Sequence, residues 1–258
     1  AVKCDDDGII PEDLDSVITE QLGNGKKVKY LYTIPSFQNP LGWTMGLERR
    51  KQVLEVTGKH GIPIFEDDCY ADLRFEGEDV TSFHSLDDTG RVIYAGSFSK
   101  IIAPGMRMGY LVAPKDVIAR AWSFKPGGAV SQFTALTIAE LMKGGLEKHI
   151  EEQNRALAVK RDAMVAALGE NFGGSVTWSV PQGGLYIWVK FPEGTDLAAV
   201  QEEIFQEGVS YYNGTMFSPD GRGANLARLC FGHPTAETVY EGVAEWARIL
   251  DRNGMLGR

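Results

Sequence analysis

The sequence has 258 residues, of which 43% are hydrophobic and 24% charged, a composition typical of a soluble globular protein with one large domain or two smaller ones. Its 26 basic and 35 acidic side chains give a net charge of -9, which argues against nucleic acid as a partner of this segment. No apolar run is long enough to span a membrane and no signal peptide is evident, so we expect a cytoplasmic protein without a membrane partner.

The chain contains three cysteines, an odd number, and they lie far apart without the spacing of metal ligands. Neither a disulfide framework nor a metal site is therefore expected, and we interpret Cys4, Cys69 and Cys230 as buried or inert thiols. The sequence starts at Ala1 with a short apolar stub and then Asp-Asp-Asp-Gly, which we interpret as a cut end.

The first part of the chain alternates between helical and strand-like patterns. Pro11 suits the first turn of a helix, whose apolar positions recur at helical spacing until Gly23. The pattern then predicts a strand at 28–34, a helix at 47–59 and a strand at 62–66. This alternation is typical of an α/β fold.

Two further strands are predicted at 92–96 and 109–113. Strands buried on both faces that alternate with helices indicate a mostly parallel sheet. Ligands of such sheets bind beyond the carboxyl ends of the strands, because right-handed crossovers bring those ends to one edge. Functional side chains are therefore expected just after the apolar runs.

The second part of the chain begins with a helical pattern from about residue 115. The stripe of one long helix is marked by Leu146, Ile150, Leu157, Met164 and Leu168. Later elements are predicted as strands at 185–191 and around Leu229, and as helices at 196–206 and 236–250. We therefore predict a large α/β domain over residues 1–145 and a smaller α+β domain over residues 146–258.

Three polar segments directly follow predicted strands, at 36–40, 66–68 and 97–100. The intervals of 28 residues from Asn39 to Asp67 and of 33 from Asp67 to Lys100 each correspond to one strand-helix-strand unit of roughly 30 residues. Taken singly, the Asn suggests a turn, the Asp a helix cap and the Lys a solvated surface residue. Together they predict an amide, a carboxylate and an amine in one crevice.

Other readings of these segments find less support. Ser97-x-x-Lys100 fits the motif of penicillin-recognising enzymes, but the companion Lys-Thr-Gly and Ser-Asp-Asn motifs are absent. A divalent-metal cluster of Asp67, Asp68 and Asp72 lacks a histidine or a further acidic motif, so no metal is expected. The phosphate-binding loops of nucleotide enzymes are also absent from this sequence.

Three stretches carry a resemblance to a known family: IPSFQNPLGWTM, FEDDCYADLRF and AGSFSKIIAPGMRMGYL. They resemble fold-type-I pyridoxal-phosphate enzymes of aminotransferase class I/II, most closely the group of aminoadipate and kynurenine aminotransferases and the MocR-type regulators that share their fold. The resemblance extends over nearly the whole chain. The spacing Ser-x-Ser-Lys-x6-Arg, with Asn-Pro and Asp-x-x-Tyr upstream, is a specific signature.

The resemblance implies a role for each candidate residue. Lys100 would hold pyridoxal 5'-phosphate as a Schiff base, and Asp67, preferred over Asp68, would keep the ring nitrogen protonated. Asn39 would donate to the phenolic oxygen of the cofactor and also contact the substrate. Tyr70, one helical turn beyond Asp67, would donate to the same oxygen. The cofactor phosphate would be bound by Ser97, Ser99 and Arg107. Arg228 would bind the substrate carboxylate. Ser97 or Ser99 as caps, and Arg228 in a structural ion pair, are the alternatives.

The implied function is an aminotransferase in which Lys100, displaced by the substrate amine, moves the α-proton of a 2-amino acid, with a 2-oxo acid as the second substrate. The alternatives are an effector-binding domain of a transcription regulator and another reaction on the same cofactor, such as decarboxylation or β-elimination. A homodimer is expected from the resemblance. The family's glycine loop and ring-stacking aromatic are not found, so the large domain is expected to be incomplete and the chain alone weakly active or inactive.

Overall fold

The computed structural model describes residues 1–256 and divides into two compact units. The first contains Ala1–Gln38 and Trp43–Glu151, and the second contains Asn39–Gly42 and the chain from Glu152 onward. The predicted domain boundary between residues 145 and 146 lies at the first residue of the helix in which this division occurs. No helix within residues 1–256 has the length and apolar character of a membrane span.

The first unit contains a small hairpin, a four-stranded sheet and helices. Its strands are β1 (Cys4–Asp5), β2 (Gly8–Ile9), β3 (Leu31–Thr33), β4 (Ile64–Asp67), β5 (Val92–Ser97) and β6 (Gly109–Val112). Its helices are α1 (Pro11–Gly23), α2 (Leu47–Lys59), α3 (Phe83–Leu86), α4 (Lys115–Ser123) and α5 (Gln132–Met142), with a 3-10 helix at Pro104–Met106. The long helix α6 (Leu146–Asn171) contains the division between the units.

The main sheet of the first unit has the order β3-β4-β5-β6. The first three strands are parallel and β6 runs antiparallel to β5, which confirms the predicted mostly parallel sheet. The predicted helices at Pro11 and at 47–59 are confirmed. The strand predicted at 28–34 is shorter than expected, because only residues 31–33 pair with β4.

The first unit is held together by a core between its sheet and helices. Helix α1 begins at Pro11 with Glu12 and Asp13 in its first turn, where acidic side chains favour a helix amino terminus. The buried core residues are Ile9, Leu14, Ile18, Met45, Val53, Ile62, Ile64, Phe83 and Val92. The strands next to this core are therefore fixed in register.

The expectation that all strands are buried on both faces is wrong for the edges of this sheet. All four residues of β6 are exposed, and Tyr32 of β3 is 53% exposed. β3 and β6 are the edge strands of the four-stranded sheet, so each has a neighbour on one side only. Their apolar composition could not distinguish an edge from a central strand.

The second unit is an antiparallel sheet packed against helices, which confirms the predicted α+β character. Its strands are β7 (Thr177–Trp178), β8 (Tyr186–Lys190), β9 (Tyr212–Asn213) and β10 (Leu226–Cys230), in the order β7-β8-β10-β9. Its further helices are α7 (Gln201–Gln206) and α8 (Ala236–Arg252), with 3-10 helices at Leu197–Val200 and Gly214–Phe217. The ring of Trp246, 1% exposed, contacts those of Phe172, Phe191 and Tyr211 in the core.

Gly214 lies where the second unit has no room for a side chain. A Cβ atom there would overlap the Gly223 carbonyl oxygen and lie 2.6 Å from Leu226 Cβ. We expect Gly214→Ala to lower the free energy of unfolding by about 1–3 kcal/mol, because overpacking forces the backbone to shift. Gly242→Ala on α8 is the control, since nothing lies within 4 Å of its Cβ position. Equal denaturation midpoints for the two variants would contradict this expectation.

Candidate functional site

The carboxylate of Asp67 lies at the carboxyl end of β4. Asp67 pairs in register with Ala95 of β5, and Ser97, two residues further, shares the same face of the sheet. The Tyr32 hydroxyl on β3 donates a hydrogen bond to Asp67 Oδ2 at 2.6 Å. Asp67 is half-buried and therefore retains access to a ligand.

Lys100 lies in the turn that follows β5 and is half-buried. The best indicator of its surroundings is the Cys69 thiol. The pKa of that thiol is raised to about 12, first by burial and then by the charge and hydrogen bond of Asp67, while Tyr70 and the Lys100 ammonium act in the opposite direction. The Asp67 and Tyr70 side chains hydrogen-bond one thiol, and the charge of Lys100, in the turn after the strand next to β4, acts on the same thiol, so the three positions lie in one region of the first unit.

Tyr70 does not lie on a helix. Residues 68–72 form bends and a turn, in which the Leu73 amide donates to the Tyr70 carbonyl oxygen at 2.8 Å. The expectation of one helical turn after Asp67 is therefore wrong, because β4 ends in a tight turn and the next helix, α3, begins only at Phe83. The Tyr70 side chain is 5% exposed and still reaches the Cys69 thiol.

The three residues expected to bind phosphate lie between β5 and β6. Ser97 Oγ accepts a hydrogen bond from the Ser99 amide at 3.2 Å, so in this structure Ser97 caps its own turn. Arg107 is exposed, has a left-handed backbone at φ 49°, and donates from Nη1 to the Pro104 carbonyl oxygen at 3.2 Å. Hydroxyls and a guanidinium are suited to a phosphate. The donor set of the first unit therefore fits pyridoxal phosphate.

The side chain of Asp68 points to the opposite face of the sheet from that of Asp67, because side chains alternate along a strand. Its Oδ2 accepts a hydrogen bond from Tyr94 at 2.9 Å, and its Oδ1 is buried without a partner among residues 1–256. Burial raises the pKa of Asp68. Asp67, which shares a sheet face with Ser97, is therefore a better candidate than Asp68 for the carboxylate that contacts a ligand. In the same described range, no group of three or more His, Cys, Asp or Glu side chains is placed to hold a metal ion.

Arg228 forms a second candidate site, within the second unit. Its guanidinium carbon lies 4.1 Å from the ring centroid of Tyr186, 4.5 Å from that of Tyr212 and 5.0 Å from that of Phe217. Nη1 donates to Asn39 Oδ1 at 2.7 Å, while Nε is buried without a hydrogen-bond partner. Within the described part of the chain Arg228 has no ion pair, contrary to the structural alternative. A cation among aromatic rings is suited to a carboxylate ligand.

Asn39 belongs to the second unit through the short segment Asn39–Gly42. With Oδ1 accepting from Arg228, the donor of its side chain is Nδ2. Gly42 has φ 80°, and a Cβ there would lie 3.3 Å from the Tyr186 carbonyl oxygen, so this close approach favours glycine. The segment thereby holds Asn39 beside Arg228.

Arg50 is buried in the first unit and donates hydrogen bonds to the loops around the strand ends. Its guanidinium donates to the carbonyl oxygens of Met45 at 2.9 Å and Pro35 at 3.2 Å, and to Ser36 Oγ at 2.9 Å. It also donates to Thr81 O at 3.1 Å and lies 3.9 Å from Glu66 Oε1. Arg50 is 1% exposed and Glu66 is fully buried. Glu66 accepts the amides of Phe83 and His84, although burial raises its pKa to about 7.

Sequence reasoning did not identify several of these neighbours. Tyr32, Arg50 and the rings around Arg228 were not predicted. Burial of Cys4 and Cys230 is wrong, because both are exposed, and Cys69 lies beside Asp67. Strand alternation offers a signal for Tyr32, since the register of β3 and β4 places it on the face of Asp67. A buried arginine in a charged helix has no such signal in the local pattern.

Comparison with known proteins identifies a matching family and several similar sequences. The profile of the family described as aminotransferase class I and II matches residues 1–244. An aromatic-amino-acid aminotransferase of Thermococcus litoralis is 36% identical over 252 residues, which are 96% of this chain and 60% of that protein. The HTH-type transcriptional regulator YisV of Bacillus subtilis is 37% identical over 229 residues, covering 85% of this chain and 46% of its own length.

A solved structure gives the same correspondence in three dimensions. The kynurenine aminotransferase of Pyrococcus horikoshii, in complex with PMP and with KYN and KYA, superposes with a TM-score of 0.90 at 36% identity. The superposition covers 98% of this chain and 63% of that one. The chain thus spans about 60% of the length of the first of these relatives.

Proposed function

The chain belongs to the class I and II aminotransferase family, and we propose that it moves an amino group from a 2-amino acid to a 2-oxo acid with pyridoxal 5'-phosphate as cofactor. The observation that carries this proposal is the placement of Asp67 at the carboxyl end of β4 and of Lys100 in the turn after the neighbouring parallel strand β5. The similarity to aminotransferases over 96% and 98% of the chain supports it.

The cofactor would be held by residues of the first unit. We assign its covalent attachment to Lys100, the contact with its ring nitrogen to Asp67, and a hydrogen bond to its phenolic oxygen to Tyr70. Ser97, Ser99 and Arg107 would donate to its phosphate. When bound, pyridoxal phosphate supplies an electron sink for the charge left at the substrate Cα when its proton leaves.

The residues of the chain then have distinct tasks. Asp67 stabilises positive charge at the ring nitrogen, since a carboxylate beside a pyridinium favours its protonated form. Lys100 Nζ, once the substrate amine has displaced it, would take the proton from the substrate Cα as general base. Tyr70 holds its hydroxyl in a buried position, where water competes less for its hydrogen bond.

Arg228 would bind the α-carboxylate of the amino acid. Its guanidinium has an unpartnered Nε and lies among three aromatic rings, so a charged partner is favoured there. Asn39 fixes one edge of the guanidinium through its Oδ1 and would contact the substrate through Nδ2.

A test of the reaction uses the protein at the full length at which it is encoded, loaded with pyridoxal phosphate and mixed with a 2-amino acid. We expect one equivalent of 2-oxo acid per bound cofactor, and continued release once a second 2-oxo acid is added. Cofactor bound at Lys100 without release of an oxo acid would contradict the enzymatic proposal.

That outcome would favour a second candidate function, the effector-binding domain of a transcription regulator. The specific observation for it is the 37% identity to the regulator YisV. A basic helix-turn-helix segment encoded ahead of Ala1 would distinguish the two functions. Decarboxylation or β-elimination would instead be recognised by its product.

A homodimer and a cytoplasmic location complete the proposal. Apolar side chains that are exposed on α4 and α5, such as Trp122 at 68% and Phe133 at 87%, support self-association. A mass of 28.3 kDa in solution, that of one chain, would contradict the dimer.

We expect Arg228→Met to raise the half-saturating concentration of a 2-amino acid by roughly 10- to 150-fold, because a hydrogen bond to a charged group contributes about 1.5–3 kcal/mol. The 2-amino acid amide, which has no carboxylate, should be used equally by the variant and the unaltered protein. Arg222→Met is the control, since Arg222 lies in the same unit with its side chain 85% exposed. An equal loss for the acid and the amide would show that Arg228 does not bind the carboxylate.

A further inference from the structure

Tyr32 makes a specific contact with the carboxylate assigned to the cofactor ring. Its hydroxyl lies 2.6 Å from Asp67 Oδ2, a short distance typical of a donor to an ionised acceptor. In the parallel ladder Tyr32 pairs with Phe65, and Asp67, two residues on, lies on the same face. The contact therefore follows from the register of β3 and β4.

The ring of Tyr32 is held in place by a second contact. It stacks on Phe65 with ring centroids 6.0 Å apart and an interplanar angle of 29°. Tyr30 offers an internal comparison, because its ring is also near Phe65, at 6.2 Å, and it is equally exposed at 53%. Tyr32 differs from Tyr30 in its hydrogen bond to Asp67.

The Cys69 thiol is a second neighbour of the Asp67 carboxylate. It interacts with the carboxylate, but a thiol is a weak donor compared with a phenol. A carboxylate that faces a ligand on one side needs a donor on another side to keep a single rotamer. Tyr32 supplies that donor.

We propose that Tyr32 is a positioning residue for the cofactor site, and that its hydroxyl orients the Asp67 carboxylate toward the ring nitrogen of pyridoxal phosphate. The inference rests on the proposed function, since it assigns that cofactor to Asp67. It adds a residue on a neighbouring strand that acts through Asp67 and touches neither the substrate nor the reacting atoms.

The first test needs no cofactor. The charge and hydrogen bond of Asp67 add to burial in raising the pKa of the Tyr32 phenol. In protein labelled with carbon-13 at tyrosine Cζ, Asp67→Asn should therefore shift one tyrosine titration to lower pH. The shift should vanish in the Tyr32→Phe background and persist in the Tyr30→Phe background. If the shift persisted in the Tyr32→Phe background, the hydrogen bond between Tyr32 and Asp67 would be excluded as its cause.

The second test compares two ring chemistries. Tyr32→Phe should weaken binding of pyridoxal phosphate by roughly tenfold, the equivalent of one lost hydrogen bond. Binding of the analogue with carbon in place of the ring nitrogen should not change, because Asp67 has no nitrogen to contact there. Tyr30→Phe should affect neither ligand. An equal loss for both ligands would indicate a merely structural Tyr32 and overturn the inference.

The two proposals fail in different ways. If pyridoxal phosphate is not attached to Lys100, the proposed function fails while the tyrosine titration still reports the contact with Asp67. If Lys100 is attached and Tyr32→Phe behaves as Tyr30→Phe does in both tests, the inference about Tyr32 alone fails.

Discussion

Replacing Lys100 with Ala is expected to eliminate covalent attachment of pyridoxal phosphate and to slow formation of the 2-oxo acid by about 10²–10⁴-fold. This is the usual contribution of a positioned general base, and loss of the covalent anchor adds to it. Lys100 is half-buried in the turn after β5, and its charge reaches the Cys69 thiol beside Asp67. Removing its amine thus removes the base from the site where the cofactor is assigned.

The rate should be measured as oxo acid formed after mixing the loaded protein with a 2-amino acid. Lys115→Ala is the control, because Lys115 is exposed at the start of α4, within the same unit. A small primary amine added to Lys100→Ala should restore part of the rate, since it can take the Cα proton. Undiminished turnover in Lys100→Ala would exclude this residue as the base.

The second large effect is expected for Arg50→Met. Arg50 donates five hydrogen bonds to the loops around residues 35, 45 and 81, and its charge lies near the buried Glu66. The substitution leaves those oxygens without their donor and Glu66 without its cation. Removing one partner of a buried charged pair lowers the free energy of unfolding by about 3–5 kcal/mol.

Urea denaturation of the first unit should report this loss as a lower midpoint. Lys51→Met is a matched control on the same helix, since its side chain is 52% exposed and forms a surface ion pair with Glu48. Such a surface change is expected to stay within about 0.5 kcal/mol. Similar midpoints for Arg50→Met and Lys51→Met would show that the buried contacts of Arg50 do not stabilise the loops.

Much of the fold could be predicted from hydrophobic periodicity. The helix at residues 47–59 has the predicted bounds, and the stripe Leu157, Met164 and Leu168 is buried on α6. These elements are regular, so their burial repeats with the helical period. The edge strands were predicted as strands, but their burial on both faces was predicted wrongly, because an apolar run does not show how many neighbours a strand has.

The site could be predicted in part. Strand ends and their spacing indicated Asp67 and Lys100, since parallel topology brings such positions together. The contact between Asn39 and Arg228, 189 residues apart, depends on how the segment Asn39–Gly42 packs in the second unit. Arg50 acts through tertiary contacts that no local pattern reveals, whereas strand alternation indicates Tyr32 once the register of β3 and β4 is known.

Covalent labelling at Lys100 is the most direct test of whether Lys100 and Asp67 flank a single pyridine ring. The protein is mixed with pyridoxal phosphate, reduced with borohydride and digested, and the labelled peptide is identified by mass spectrometry. We expect the label on Lys100, and a weaker label at the same residue in Asp67→Ala, because the ring nitrogen loses its counter-charge. A label on another lysine, or none, would contradict the assignment of the site.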